Sequence, residues 1–136
     1  MRLALPLVAA VLWIGTLPAM AVELVMVEQP GCAYCRQWDR EVSDAYPKTA
    51  EGRAAPLARV QMRALDDSGY AFARPVNYTP TFVLVEDKRE LARIEGYPGE
   101  DFFWGLLGMM LKAQTDFDPE SAGTGESVAQ PAQIDG

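Results

Sequence analysis

Apolar residues recur along this chain with two different periods, and the switch between them falls at the cysteines. Glu23-Leu24-Val25-Met26-Val27-Glu28 is a short, β-branched apolar run that fits a buried strand better than a helix. From Cys32 the spacing lengthens to about 3.6. Cys35, Trp38, Val42 and Ala45 or Tyr46 then fall on one stripe, with Arg36, Asp39, Arg40, Glu41 and Ser43 largely elsewhere. This pattern predicts an amphipathic helix that begins at the cysteines. Pro47, Gly52 and Pro56 punctuate a polar stretch with room for a short helical turn around residues 49–54.

Residues 57–62 read as a second strand, so the first half is β-α-β. Two strands joined through a helix within one sheet imply a parallel pair with a right-handed crossover. Residues 66–73 stay open between a short helix capped by Asp66 or Asp67 and a loop, because Gly69 weakens a helix. Thr81-Phe82-Val83-Leu84-Val85 and Glu90-Leu91-Ala92-Arg93-Ile94 are strand-like runs separated by Glu86-Asp87-Lys88-Arg89, a charged hairpin turn. Gly96-Tyr97-Pro98-Gly99 ends the second run, and Glu100 or Asp101 opens a last helix. The body of that helix, residues 102–111, is apolar almost all round. Core packing accounts for one face, and Trp104 or Met109 on the other is a candidate contact surface. Residues 116–136 carry Pro119, Gly123, Gly125, Pro131 and scattered acids, the composition of a disordered acidic tail.

Length and composition narrow this to one domain: 136 residues with 49% hydrophobic content support a single core. Residues 1–21 read as a secretory signal, with Arg2 as the positive start, an apolar stretch from Leu3 to Leu17 and Ala19-Met20-Ala21 as the cleavage site. The alternative is an uncleaved anchor, but Pro6, Gly15 and Pro18 interrupt the run. The expected domain is therefore 22–115. Losing Arg2 takes the formal charge from −7 to −8, which disfavours nucleic acid and anionic lipid as partners.

The chain has two cysteines and no histidine. A Cys-His nucleophile pair and a mixed Cys/His zinc site are thereby excluded, and two cysteines cannot close a structural zinc site. Cys32 and Cys35 sit three residues apart on neighbouring helical turns, where a disulfide is feasible. A redox dithiol or a structural staple remains. A four-residue ring contributes only about 2 kcal/mol through loop entropy, against about 4 to 5 for a long loop, so a staple here would constrain little. Export changes the redox argument, since disulfides persist outside the reducing cytosol and an exported dithiol needs its own electron supply.

The order β-α-β then β-β-α, with Cys32-Ala33-Tyr34-Cys35 at the first strand-helix junction, resembles the thioredoxin fold over residues 22–114. That implies an α/β domain around a four-stranded mixed sheet. Tyr78-Thr79-Pro80-Thr81 and Gly96-Tyr97 match two further marks of that family. The resemblance implies that Pro80 is cis and faces the dithiol, that Thr79 offers its backbone to a client peptide, and that the Gly96-Tyr97 loop borders the site. Thr79, Pro80, Tyr34 and Tyr97 are the expected substrate-binding residues.

More narrowly, Pro-Gly-Cys-Ala-Tyr-Cys at 30–35, Asn77 to Phe82 and Arg93-Ile94-Glu95-Gly96-Tyr97 resemble the small periplasmic thioredoxins encoded with bacterial sulfur-oxidation systems, the SoxS type. What this implies is a periplasmic thiol-disulfide oxidoreductase whose redox group is the Cys32-Cys35 disulfide, with no small-molecule cofactor. Its implied client is a cysteine-bearing sulfur carrier protein, and its implied electron donor a membrane thiol transporter.

Helix-start position makes Cys32 the candidate nucleophile, because free N–H groups and the positive helix end favour a thiolate. Cys35, on the core stripe, is the candidate resolving thiol. Ala33-Tyr34 adds no charge and no histidine adjoins the thiols, which favours a reductant. An oxidant or isomerase of exported proteins is the opposing redox reading, and a binding module using the last helix is the non-enzymatic one. Thioredoxins carry a buried aspartate six residues before the first cysteine, and here Met26 stands there. Glu28 is the candidate proton acceptor in its place, unless it points into solvent as strand-end carboxylates usually do. Arg36 is a candidate thiolate neighbour or a solvated charge.

Overall fold

In the computed structural model, residues 21–122 are described; residues 1–20, where the secretory signal is expected, and 123–136, most of the expected tail, lie outside the described residues. Strand β1 (Val22–Glu28) forms the centre, with Leu24, Val25, Met26 and Val27 wholly buried. β2 (Leu57–Gln61) pairs with it in parallel, and β3 (Thr81–Glu86) and β4 (Arg89–Glu95) continue antiparallel on the other side, in the order β2-β1-β3-β4. The sheet is thus mixed and four-stranded, as expected. Burial on both faces explains why β1 reads as a continuous apolar run.

Strand alternation divides the core in two. Leu24, Met26, Phe82 and Leu84 face helices α1 (Ala33–Trp38) and α3 (Glu100–Gln114), with Trp38, Tyr46, Phe103, Leu107 and Leu111 filling the space between. Val25, Val27, Val83 and Val85 point to the opposite face. Among the described residues no α-helix covers them there. An irregular strap does, laying Met62, Leu65, Tyr70, Phe72 and Val76 over the valines. The open question at residues 66–73 is settled by this strap: Gly69 sits at φ +77°, and Ala71 forms an isolated bridge to Arg89.

The expected first helix is interrupted. α1 runs for six residues, widens into a π-helical turn at Asp39–Ser43, and ends in a 3₁₀ turn at Tyr46–Lys48 that accommodates Pro47. Cys35, Trp38, Val42 and Tyr46 nevertheless stay buried, so the stripe survives the change of pitch and the Ala45 alternative is exposed. α2 (Ala50–Ala54) follows, with Thr49 as its N-cap. The Thr49 hydroxyl accepts from Gly52 N–H at 3.0 Å and donates to the Tyr46 carbonyl at 2.8 Å.

Asp87 and Lys88 turn the β3-β4 hairpin with φ of +48° and +68°, the conformation a two-residue hairpin requires. Lys88 is held there by Glu23 and the Tyr70 hydroxyl, at 3.3 and 3.2 Å. On α3, Phe103, Leu107, Met110 and Leu111 face the core. Trp104 is not a free contact residue, because its ring stacks on Tyr46 at 5.9 Å. Met109 is exposed, with Phe102 and Leu106 beside it on the outer face. Order also extends past the expected tail boundary. Phe117 packs on the core, Thr115 Oγ1 accepts from its N–H at 3.1 Å, and Asp118 caps the short α4 (Pro119–Ala122) through Glu120 N–H at 3.0 Å.

Candidate active site

Strand β1 ends at Glu28, and Gly31 at φ +81° turns the chain so that Cys32 becomes the N-cap of α1. Its Sγ accepts from Cys35 N–H at 3.1 Å, and its carbonyl accepts from Arg36 N–H at 3.2 Å. Cys32 and Cys35 are joined in a disulfide, with their Cα atoms 5.3 Å apart. Both are well shielded, at 9% and 4% exposed, so only a partner seated closely over the helix start reaches them. Cys32, the more exposed residue of the two, accepts a helix-start N–H at its sulfur, the arrangement that favours its thiolate.

Beneath the helix start lies a cleft of about 230 Å³ lined by both cysteines with Glu28, Arg36, Asp39 and Gln61. Glu28 does not simply face solvent. Its two oxygens accept from Arg59 Nη1 at 2.9 Å and Gln61 Nε2 at 3.1 Å, which aims the carboxylate along the cleft wall. Arg59 stands opposite Met26 in the β1-β2 register and also donates to Asp39 Oδ1 at 2.6 Å. Burial works against its charge, but Asp39 and Glu28 outweigh that and raise its pKa. Its guanidinium lies 5.4 Å from the Trp38 ring centroid. Sequence reasoning missed Arg59. The available signal was an arginine two positions after Leu57, on the inward phase of a strand.

The Thr79-Pro80 peptide is cis, with Pro80 buried and Thr79 half-buried at the entry to β3. The Pro80 carbonyl accepts from Gly96 N–H at 2.8 Å, tying the proline to the loop after β4. Tyr34 lines a second cleft of about 320 Å³ together with Glu95, Gly96, Tyr97 and Pro98. Tyr34 and Tyr78, on the approach to Pro80, are about two-thirds exposed and free to meet a partner. Tyr78 was not among the expected site residues. Tyr97 lines the same cleft, yet it is only 7% exposed and its hydroxyl donates to Glu41 Oε2 at 2.6 Å. Burial, then that hydrogen bond, raise its pKa well above the ordinary tyrosine value. Hydrogen bonds from Tyr97 and then Gln37 lower the pKa of Glu41, so the contact is complete above the ordinary carboxylate range and is lost as pH falls through the lowered value.

Residues 22–110 match the thioredoxin-like domain family. Among solved structures, the periplasmic thioredoxin SoxS from Paracoccus pantotrophus in its reduced form is 54% identical, with a TM-score of 0.64 over 67% of this chain and 96% of that one. Thioredoxin-2 of a malaria parasite is 21% identical, with a TM-score of 0.47 over 69% and 87% of the two chains. Thioredoxin of Fasciola hepatica is 23% identical, with a TM-score of 0.48 over 66% and 81%. No curated protein matches. Fold, disulfide and the extent of the Paracoccus match agree: the chain belongs to the thioredoxin-like domain family, as a member of its SoxS type.

Proposed function

We propose that this chain is a periplasmic thiol-disulfide oxidoreductase that works as a reductant of protein disulfides. The observation that carries this is the Cys32-Cys35 disulfide at a helix start, with the first sulfur accepting a helix N–H and the second buried on the core side. The printed name of the Paracoccus protein, a periplasmic thioredoxin, supports the compartment and the class of chemistry.

In the reduced dithiol the Cys32 thiolate attacks a client disulfide. A Cys32-client bond forms and one client sulfur leaves as thiolate, taking a proton from water. Cys35, as thiolate, then attacks Cys32 Sγ. The mixed disulfide breaks, the Cys32-Cys35 bond closes, and the second client thiolate is released. Two electrons have passed from the dithiol to the client. Thr79, Pro80 and Tyr34 are the residues we assign to holding the client chain. The proposed client is a cysteine-bearing sulfur carrier protein, and the proposed electron source is a membrane thiol transporter.

Cys35 must lose a proton before it attacks, and Glu28 is the acceptor we assign, because it shares the cleft with Cys35 and each of its oxygens keeps a second lone pair beyond the bonds to Arg59 and Gln61. Glu28→Gln is expected to slow release of client from the mixed disulfide by about a hundredfold, the low end for loss of a general base. Single-turnover kinetics at pH 7 read that step. An unchanged rate removes Glu28 from the mechanism.

Equilibration with glutathione tests the direction of electron flow. A reductant is expected to settle near the thioredoxin end of the range, between about −270 and −200 mV. A potential above about −150 mV makes the protein an oxidant and overturns the proposed direction.

A further inference from the structure

Four residues, Gly96-Tyr97-Pro98-Gly99, link β4 to α3, and the first three of them form a wall of the second cleft. Glycines at φ +83° and +102° bound this loop at both ends, so its backbone alone does not fix its position. Two hydrogen bonds do. Gly96 N–H donates to the Pro80 carbonyl at 2.8 Å on one side. The Tyr97 hydroxyl donates to Glu41 Oε2 at 2.6 Å on the other. Glu41 belongs to the π-helical turn that continues the cysteine-bearing helix, and its second oxygen accepts from Gln37 Nε2 at 3.0 Å, which orients the carboxylate. The Tyr97 ring is buried with Phe103, at a centroid distance of 6.0 Å. Its one polar atom is therefore committed to Glu41 and is not offered to a bound chain.

The geometry points to Tyr97 and Glu41 as a positioning pair that clamps the Gly96 loop to the dithiol helix and so sets the width of the cleft for a protein client. This deepens the oxidoreductase reading and rests on it. Cys32, Cys35, Gln37 and Glu41 lie on one continuous helical stretch, while Gly96 is bonded to Pro80, so the Tyr97 hydroxyl fixes the helix against the proline side of the site. Without it only the Gly96 bond and the Tyr97 ring hold the loop, which is then looser about its two glycines. A client lying along the wall must then order that loop as it binds, which weakens binding and leaves the sulfur chemistry unchanged. A small aromatic disulfide needs only the sulfurs and is indifferent to the wall.

The test uses the full mature chain and two disulfides, insulin and 5,5′-dithiobis(2-nitrobenzoic acid). Tyr97→Phe keeps the ring and removes the hydroxyl. Glu41→Ala removes the acceptor, whereas Glu41→Gln retains one acceptor oxygen and one donor, enough for Tyr97 and, with its amide reversed, Gln37. Expected for Tyr97→Phe and Glu41→Ala is a rise in KM for insulin of about two- to tenfold, the range for one lost hydrogen bond, at unchanged kcat. The small disulfide should react at the wild-type rate. Glu41→Gln should stay near wild type, and the double variant Tyr97→Phe/Glu41→Ala should be no worse than either single change. Hydrogen exchange of the Gly96 amide, followed by NMR, should quicken in Tyr97→Phe whatever the activity. A wild-type KM and wild-type Gly96 exchange in Tyr97→Phe would overturn the clamp, as would equal slowing on both disulfides. A wild-type protein inert towards both disulfides rejects the oxidoreductase reading instead, and Gly96 exchange then decides the clamp alone.

Discussion

Replacing Cys35 by serine is expected to convert the protein into a trap. Cys32 still attacks, because its helix-start position and its N–H neighbours are untouched. With no second thiol to close the Cys32-Cys35 bond, the mixed disulfide with the client persists and runs as a covalent adduct on a non-reducing gel. Cys32→Ser should give the opposite result: no adduct, and disulfide reduction at the background rate, since a serine hydroxyl is not deprotonated in this range. The pair of variants separates an enzyme from a binding module. Full partner activity in Cys32→Ser would remove the redox reading, and mass spectrometry of the Cys35→Ser adduct would identify the client.

Trp38→Ala should produce the largest loss of stability. Trp38 is wholly buried one turn after Cys35, and its ring meets Tyr46, Phe82 and Phe103 at centroid distances of 6.1, 5.5 and 5.8 Å, with Arg59 over it. Truncating such a residue costs about 3 to 5 kcal/mol in transfer and cavity terms, out of a typical total of about 5 to 15. For a domain of this size that lowers Tm by roughly 12 to 40 °C. Trp38→Phe should lose less, because it keeps an aromatic ring and removes an indole N–H that has no hydrogen-bond partner among the described residues. Thermal unfolding followed by circular dichroism reads both. A shift of only a few degrees in Trp38→Ala would mean that the helix is held to the sheet by other contacts.

Much of this fold was legible because its two periods do not mix. Alternating residues of β1 and β3 supply opposite faces, and Cys35, Trp38, Val42 and Tyr46 keep a single stripe. The dithiol was legible because the chain has no other cysteine and no histidine to compete for its reading. The π-helical turn was not, since Val42 and Tyr46 fall on the buried side at either pitch. The strap at 62–76 was not, because its apolar residues are sparse and separated by Gly69, Arg74 and Pro75, which carry no period at all. Arg59 was obscured by its own chemistry: strand alternation points it inward, whereas its charge argues for solvent until Glu28 and Asp39 are seen beside it. Tyr97 and Glu41 meet across 56 residues, and no local pattern encodes such a contact.

The strap is fastened to the sheet by polar side chains of the strands it covers. Besides the bridge at Ala71, Arg93 donates to the carbonyls of Arg74 and Pro75 at 2.8 and 3.2 Å, Glu90 accepts from Ala73 N–H at 2.7 Å, and Glu23 accepts from the Tyr70 hydroxyl at 3.0 Å, so a segment without regular structure is pinned along its length. Beneath it lie Val25, Val27, Val83 and Val85, while Cys32 and Cys35 belong to the cluster on the other side of the sheet. Closure of the valine face and shielding of the disulfide are thereby separate tasks, and a substitution in the strap bears on the first without touching the sulfurs.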